Sequence, residues 1–312
     1  MPRPRRRTDI PEAMISRFKD MGLQLDEFLP ALLRPPSQTL RLNTLKASRE
    51  GILESLSYLD IVEAPWNDLV FRVRSHSKLG NLLEHFLGLI YVQDSSSTMP
   101  VTVLDPQPGE TILDIAAAPG SKTTQIAAAM KNTGVLVAND ANGKRIPALT
   151  SNLDRSGVLN TVVTNIPGQS FGYMKPETFD RILVDAPCTS EGTLSRSLSA
   201  LEIWSDGTVE RLSYLQKKLI LSAYYSLKAG GTIVYSTCTF EPEENEGVIC
   251  HLLKHFPEAQ VEPVVLEGVP LRKGYTSWRG EEYDQRSANV ARVFPHEHDG
   301  EGFCIAKILK PL

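Results

Sequence analysis

The chain predicts an α/β fold, a doubly wound and mostly parallel sheet of Rossmann-like type, with a smaller N-terminal α+β domain attached. Three observations predict it. From residue 110 onward, apolar strand-like runs alternate with stretches of helical spacing. Those runs are apolar on both faces, as strands covered by helices on each side must be. Before residue 90 the texture differs, with helix-like patterns followed by strands that alternate. The division therefore falls at residue 90, giving an N-terminal region 1–90 and a larger domain 91–312.

The N-terminal region opens with helical patterns over Ile10 to Met21 and Leu25 to Leu33, ended by Pro35-Pro36. "TLRLNTL" (39–45) then alternates like a strand, Ser48 to Leu59 is spaced like a helix, and "DLVFRV" (68–73) alternates again. In the second half, "TILDIAA" is the first apolar run and "SKTTQIAAAM" its helix. "GVLVAND" is a second strand, followed by a helix in "RIPALTSNLDRSG" that Gly157 ends. "TVVTN" and "FDRILVDAP" are the third and fourth strands. A long helix in "TVERLSYLQKKLILSAYYSLK" closes at Gly230-Gly231, and "TIVYSTC" is the fifth strand. Pro242 starts a helix whose first turn carries Glu243 and Glu244, favourable against the helix dipole.

Composition narrows the function classes. No apolar run approaches a membrane span, and "MPRPRRR" lacks the apolar core of a signal peptide. Cys188, Cys238, Cys250 and Cys304 form no C-x-x-C pair, which argues against a disulfide framework or thiolate metal cluster and for a reducing, cytoplasmic setting. A net charge of −4 argues against a uniformly basic nucleic-acid binder. Residues 1–50 nevertheless hold ten Lys/Arg against six Asp/Glu, four of the ten being Arg3, Arg5, Arg6 and Arg7. A local patch for a polyanion follows from that surplus.

In a doubly wound sheet, ligands sit at the carboxyl ends of the strands. The first such turn, "AAAPGSK", resembles a phosphate-binding loop but fails its requirements. Ser121 stands directly before Lys122 where a Gly is needed, and Ala116 stands five residues earlier where another is needed. The G-x-G-x-x-G fingerprint is missing too. Asp140, at the end of the next strand, can accept hydrogen bonds from ribose hydroxyls. A nucleoside-bearing ligand without pyrophosphate fits, and S-adenosylmethionine is the foremost example. The remaining turns are sulfur-bearing. Cys188 ends "DAPC" after the fourth strand and Cys238 ends "STC" after the fifth, so neighbouring strand ends would bring both thiols into one cleft. Asp185 adds a carboxylate at that edge. Cys250 and Cys304 read as small buried hydrophobes.

These blocks resemble those of the RNA cytosine-C5 methyltransferases, the NOL/NOP/Sun group, with the nearest likeness among bacterial enzymes of 16S ribosomal RNA. "DIAAAPGSKT", "DAPCTSEGT" and "YSTCTFEPEENE" carry the resemblance, with "RLNTLK" (41–46), "GLIYVQDSSSTMP" (88–100) and "VFPHEHDGEGFCIAKI" (293–308) extending it over nearly the whole chain. The resemblance implies a Rossmann-like methyltransferase sheet, S-adenosylmethionine as methyl donor and RNA as partner, ribosomal before transfer RNA, with an N-terminal RNA-binding region. It implies Cys238 as the nucleophile that adds to cytosine C6, Cys188 as the thiol that assists product release, Asp185 as the group that holds the base and also touches the donor, and Lys122 as a further catalytic residue. Ala116, Ala117, Ala118, Pro119, Gly120, Ser121 and Lys122 would line the methionine end of the donor, and Asp140 its ribose. Where relatives carry an Asp contacting adenine, this chain has Pro167, so Asn165 or Gln169 must substitute or adenine recognition is looser.

A C5 methyltransferase must take its base out of the stack. Phe171, Tyr173, Trp204 and Phe240 are the stacking candidates. His251, His255, His296 and His298 lack a donor set suited to zinc, and no metal is expected. A monomer is the default, and a catalytically silent RNA-binding assembly factor is the competing reading.

Overall fold

A computed structural model of the chain describes residues 10–74 and 78–312. The basic opening with Arg3, Arg5, Arg6 and Arg7 lies outside those residues. Two helices come first, α1 (Glu12–Asp20) and α2 (Leu25–Leu33). Met14 and Phe18 of α1 and Phe28 and Leu32 of α2 are fully buried. They pack on Trp204, Phe240 and Phe294 of the larger domain rather than on the sheet that follows them. Next come β1 (Gln38–Leu42), α3 (Arg49–Ser55), β2 (Ile61–Ala64), β3 (Asn67–Val73), α4 (Leu83–Phe86) and β4 (Ile90–Val92). The four strands pair antiparallel in the order β2-β3-β1-β4. Helix α3 is shorter than its apolar spacing suggests. Ser48 caps it by accepting from Gly51 N, and the chain leaves it at Leu56. The three-residue β4 is too short for alternation to register in sequence, and it pairs with β1 across the division placed at residue 90. Helix α5 (Ser95–Leu104) follows, capped by Asp94.

The doubly wound sheet forms as the alternation predicts. Its elements are β5 (Thr111–Asp114), α6 (Ser121–Ala129), β6 (Val135–Asn139), α7 (Ile146–Ser156), β7 (Thr161–Thr164), α8 (Phe171–Met174), β8 (Phe179–Asp185), α9 (Ser199–Ile203), α10 (Asp206–Ser226), β9 (Leu227–Thr237) and α11 (Glu246–His255). Strands β5 to β9 are parallel in the order β9-β8-β5-β6-β7. The order reverses at β5, so the carboxyl ends of β5, β6 and β8 open a crevice there. Ile182, Val184, Ile233 and Tyr235 face a core completed by α10 and α11, while Leu183, Val234, Ile112 and Leu136 face α5 and α6.

Two local readings are corrected. Helix α10 ends at Ser226, and Gly230-Gly231 lies inside β9. There Leu227 stands opposite Phe179 but Thr232 opposite Arg181, so the glycines sit in a bulge of the strand and do not cap the helix. Pro242 starts only a 3₁₀ turn, Pro242–Glu244, and α11 begins at Glu246. The last part of the chain is antiparallel: β10 (Gln260–Glu262), β11 (Arg272–Lys273), the hairpin β12 (Ser277–Trp278) with β13 (Glu281–Glu282), β14 (Ala291–Val293) and β15 (Phe303–Leu309). Strand β15 runs against β9 from Cys304–Thr237 to Leu309–Thr232 and extends the sheet through β14 to β11. Among the described residues, no helix is long and apolar enough to cross a membrane.

Candidate active site

The crevice has two halves. On the β5–β7 side, Gly120 caps α6 with φ +105°, a conformation that residues with a side chain rarely adopt, and this is what the tight turn requires. Asp114 ends β5, accepts from Thr123 Oγ1 at 2.7 Å, and is pushed up to about 7, by burial above all. Asp140 directly follows β6, with its carboxylate 5% exposed. One carboxylate oxygen accepts from Ala118 N at 3.2 Å and pairs with Arg145, while the other accepts from Asn142 N at 2.8 Å. Ala116, Asp140, Gly168, Gln169, Pro187 and Leu219 line a cavity of about 260 Å³ in front of it. Of the two substitutes for the missing adenine-contacting Asp, Gln169 reaches this cavity, whereas the Asn165 amide donates to Asp140 O at 2.6 Å. Pro167 precedes the 3₁₀ turn Gly168–Ser170 that supplies the wall. A carboxylate, an amide and apolar walls form a donor set that fits a nucleoside.

The β8–β9 side holds the sulfurs. Cys188 Sγ and Cys238 Sγ lie 3.4 Å apart, both partly exposed, so the strand ends do bring both thiols into one cleft. The hydrogen bond with Cys238, then burial, then the charges of Cys238 and Glu244 push the Cys188 thiol well above its ordinary value, so Cys188 stays protonated. Asp185 Oδ2 takes Lys122 Nζ at 2.7 Å, and its Oδ1 accepts from Ser236 Oγ at 2.8 Å. Burial works against the Lys122 charge, but Asp185 outweighs it, so Lys122 is held cationic. Lys122 also donates to Ser97 Oγ at 3.1 Å and sits over the Phe303 ring. Gly192 fixes the approach of the two sulfur-bearing turns. Its N donates to Cys238 O at 3.0 Å, and a Cβ there would fall 2.4 Å from Gly302 O.

The other expectations fare unevenly. Phe240 and Phe171 are core residues, and Trp204 is buried with its Nε1 donating to Glu241 at 3.0 Å, so none of the three can stack on a base. Tyr173 is 93% exposed on α8, which packs against α10. The basic surplus is thinner than composition suggests. Arg17 is buried among Asp206, Glu241 and Glu243. Arg41 is buried against Thr124, where burial lowers it to about 9. Lys19, Arg34 and Lys46 remain exposed. Cys250 and Cys304 are buried. His298 lies 3.1 Å from Ser95 Oγ, and His255 Nδ1 lies 2.9 Å from His251 O. Among the described residues, no group of three or more His, Cys, Asp or Glu side chains could hold a metal ion.

Sequence reasoning missed Ser97 and Ser236, which hold the Lys122–Asp185 pair. It also missed Arg196, which joins Asp94 at 2.9 Å and Glu301 at 3.0 Å along the cleft. Nothing local marks these residues. A Thr directly after Cys188 and another directly after Cys238 were the one visible signal of a shared support.

Residues 101–309 match the family described as 16S rRNA methyltransferase RsmB/F, and residues 10–95 match the N-terminal domain of 16S rRNA methyltransferase RsmF. The chain is 41% identical to the ribosomal RNA small subunit methyltransferase F of Aliivibrio fischeri, over 96% of this chain and 64% of that protein. It thus spans about two thirds of the length of such relatives. It is 42% identical to the tRNA (cytosine(49)-C(5))-methyltransferase of Pyrococcus abyssi, over 97% of both chains. A crystal structure of a methyltransferase homologue from Pyrococcus horikoshii superposes with a TM-score of 0.84 at 34% identity, covering 97% of this chain and 96% of that one.

Proposed function

The chain belongs to the 16S rRNA methyltransferase RsmB/F family, and from that premise we propose that it methylates C5 of a cytosine in RNA, with S-adenosylmethionine as donor, through a covalent bond between Cys238 and C6. The observation that carries the reading is the pair of sulfurs 3.4 Å apart at the carboxyl edge of β8 and β9.

Cytosine C5 is a weak nucleophile within an aromatic ring. Addition of the Cys238 thiolate at C6 breaks the aromaticity and leaves C5 enamine-like, which splits one hard step into easier ones. When bound, the donor supplies an electrophilic sulfonium methyl group. Asp185, fixed by Lys122 and Ser236, is placed to hold the base through N3 or the exocyclic amine. Once C5 carries the methyl group, loss of its proton and elimination of Cys238 restore the ring. Cys188, beside the departing sulfur, assists that release. Asp140 takes the ribose, the Ala116–Lys122 turn takes the methionine end, and Gln169 faces the adenine where Pro167 offers neither carboxylate nor N–H.

We assign RNA binding to residues 1–90 and methyl transfer to 91–312, in a monomer acting in the cytoplasm. Ribosomal RNA is the first candidate, because the match to the RsmF N-terminal domain covers residues 10–95. Transfer RNA is the second, because the archaeal tRNA relative matches end to end. The test is tritiated methyl transfer to ribosomal RNA, transfer RNA and protein, with denaturing gels to trap adducts. Wild type should label one RNA class. Cys188→Ala should accumulate a protein–RNA adduct, and Cys238→Ala should neither turn over nor form one. Equal absence of adduct in both variants would void these roles.

A further inference from the structure

We propose that Glu244, Thr189, Glu191 and Thr239 form a buried hydrogen-bonded chain, sharing one carboxyl proton, that positions the Cys188 and Cys238 sulfurs; its purpose rests on the cytosine-methylation reading above. Thr189 directly follows Cys188, Thr239 directly follows Cys238, and all four members are fully buried. None touches the cleft, so they are positioning residues.

Counting protons leads to the shared one. Thr189 Oγ1 lies 2.8 Å from Glu191 Oε2, 2.9 Å from Thr239 Oγ1 and 2.5 Å from Glu244 Oε1. Thr239 Oγ1 is hydrogen-bonded to Glu191 Oε1, which also accepts from Phe240 N at 2.6 Å. The two hydroxyls bring two protons to these oxygen–oxygen contacts. With Thr239 donating to Glu191, Thr189 can serve only one of its two carboxyl neighbours. Were both carboxyls ionised, one would face a hydroxyl oxygen across a short gap with no hydrogen between them, at a large desolvation cost. One carboxyl therefore carries a proton.

Glu244 is the member suited to carry it. Its second oxygen takes Gln216 Nε2 at 2.6 Å and Thr189 N at 3.3 Å, which leaves Oε1 to bear the proton and donate it to Thr189 Oγ1. Burial pushes the Glu191 carboxyl up, but three donors converge on it, from Thr189, Thr239 and Phe240 N, and suit it better to the charge. Burial first, and the Glu191 charge next, push the Glu244 carboxyl well above its ordinary value. Glu241 also faces this cluster, and Arg17 answers its charge at 2.6 Å. The order is Glu244 to Thr189 to Glu191, with Thr239 joining from the other turn. Gln216 extends the chain to Pro187 O at 2.8 Å, one residue before Cys188.

An amide mimics a neutral acid but not a carboxylate, which separates the two glutamates. Glu244→Gln should retain turnover within about twofold. Glu244→Ala and Glu191→Gln should lower kcat, with KM little changed, by up to about a hundredfold, the effect of misplacing a reacting group by ~1 Å. A second readout needs neither RNA nor donor. A trivalent phenylarsenical closes a ring only over two adjacent thiols, so one equivalent should bind wild type and Glu244→Gln but neither impaired variant. If Glu244→Gln falls as far as Glu191→Gln, or does not fold, the shared-proton chain is overturned. If the arsenical pattern holds while wild type methylates no RNA, the methylation reading fails and the positioning stands.

Discussion

The two halves of the crevice are built differently. Around the sulfurs, polar atoms are tied down in layers: Lys122, Ser236 and Ser97 about Asp185, the Thr–Glu chain beneath the cysteines, and Arg17 of α1 beneath that. On the β5–β7 side, the cavity before Asp140 mixes apolar walls with Arg145 and the amides of Asn142 and Gln169, with a proline where an acidic contact is expected. Covalent chemistry needs reacting atoms fixed within tenths of an ångström, whereas binding a nucleoside tolerates exchange of one contact for another. Variation is therefore costly on the sulfur side and cheap on the donor side.

Four changes break or sharpen that contrast. The largest effect is expected for Arg17→Ala. It leaves Glu241 buried without its counter-charge, and loss of one partner of such a pair costs about 3–5 kcal/mol. Denaturant unfolding measures it, and an unchanged midpoint would show that α1 does not underpin the sulfur half. Lys122→Met, which removes the cation holding Asp185, should lower kcat about a hundredfold, ~2.7 kcal/mol, while donor affinity moves less. Single-turnover kinetics with calorimetric titration separates the two.

The third concerns the loop that walls the sulfur side. His298 packs on Trp66 among Asp94, Arg72 and Asp299, and burial, ahead of those charges, lowers it to about 4. It stays neutral when folded and takes a proton when unfolded, so the unfolded state binds more protons between its ordinary 6.5 and about 4. Its contribution is full above that window and is lost as pH falls through it, by about 2 kcal/mol between pH ~7 and ~5. His298→Gln should flatten that slope, and an unaltered slope would assign the acid sensitivity elsewhere. The smallest effect belongs to the donor half. Pro167→Asp should tighten donor binding by about 1 kcal/mol, several-fold in Kd, with turnover nearly unchanged. No gain in a calorimetric titration would mean that Gln169 already does the work.

Much of this site could be read from the chain. Asp140, Asp185, Cys188 and Cys238 each end or follow an apolar run, and strand ends in a doubly wound sheet face one crevice. Three of the four aromatic candidates failed because sequence cannot distinguish a ring at the rim from a ring in the core. Phe240 is stacked on Phe294 and flanked by Phe18 and Phe28 from the chain's start. The basic surplus is thinner than composition suggests for the same reason, since Arg17 and Arg41 point inward.

Taken alone, the sequence determined the α/β class, the order of strands along the chain and the turns that meet at the crevice. Those follow from periodicity and turn residues, which act over a few positions. Tertiary structure alone decided that Lys122 meets Asp185, that Thr189 meets Thr239 through Glu191, that α1 and α2 dock on the larger domain, and that an antiparallel strand closes against β9. Each of these joins positions dozens to hundreds of residues apart, where no local pattern names the partner and only packing selects it.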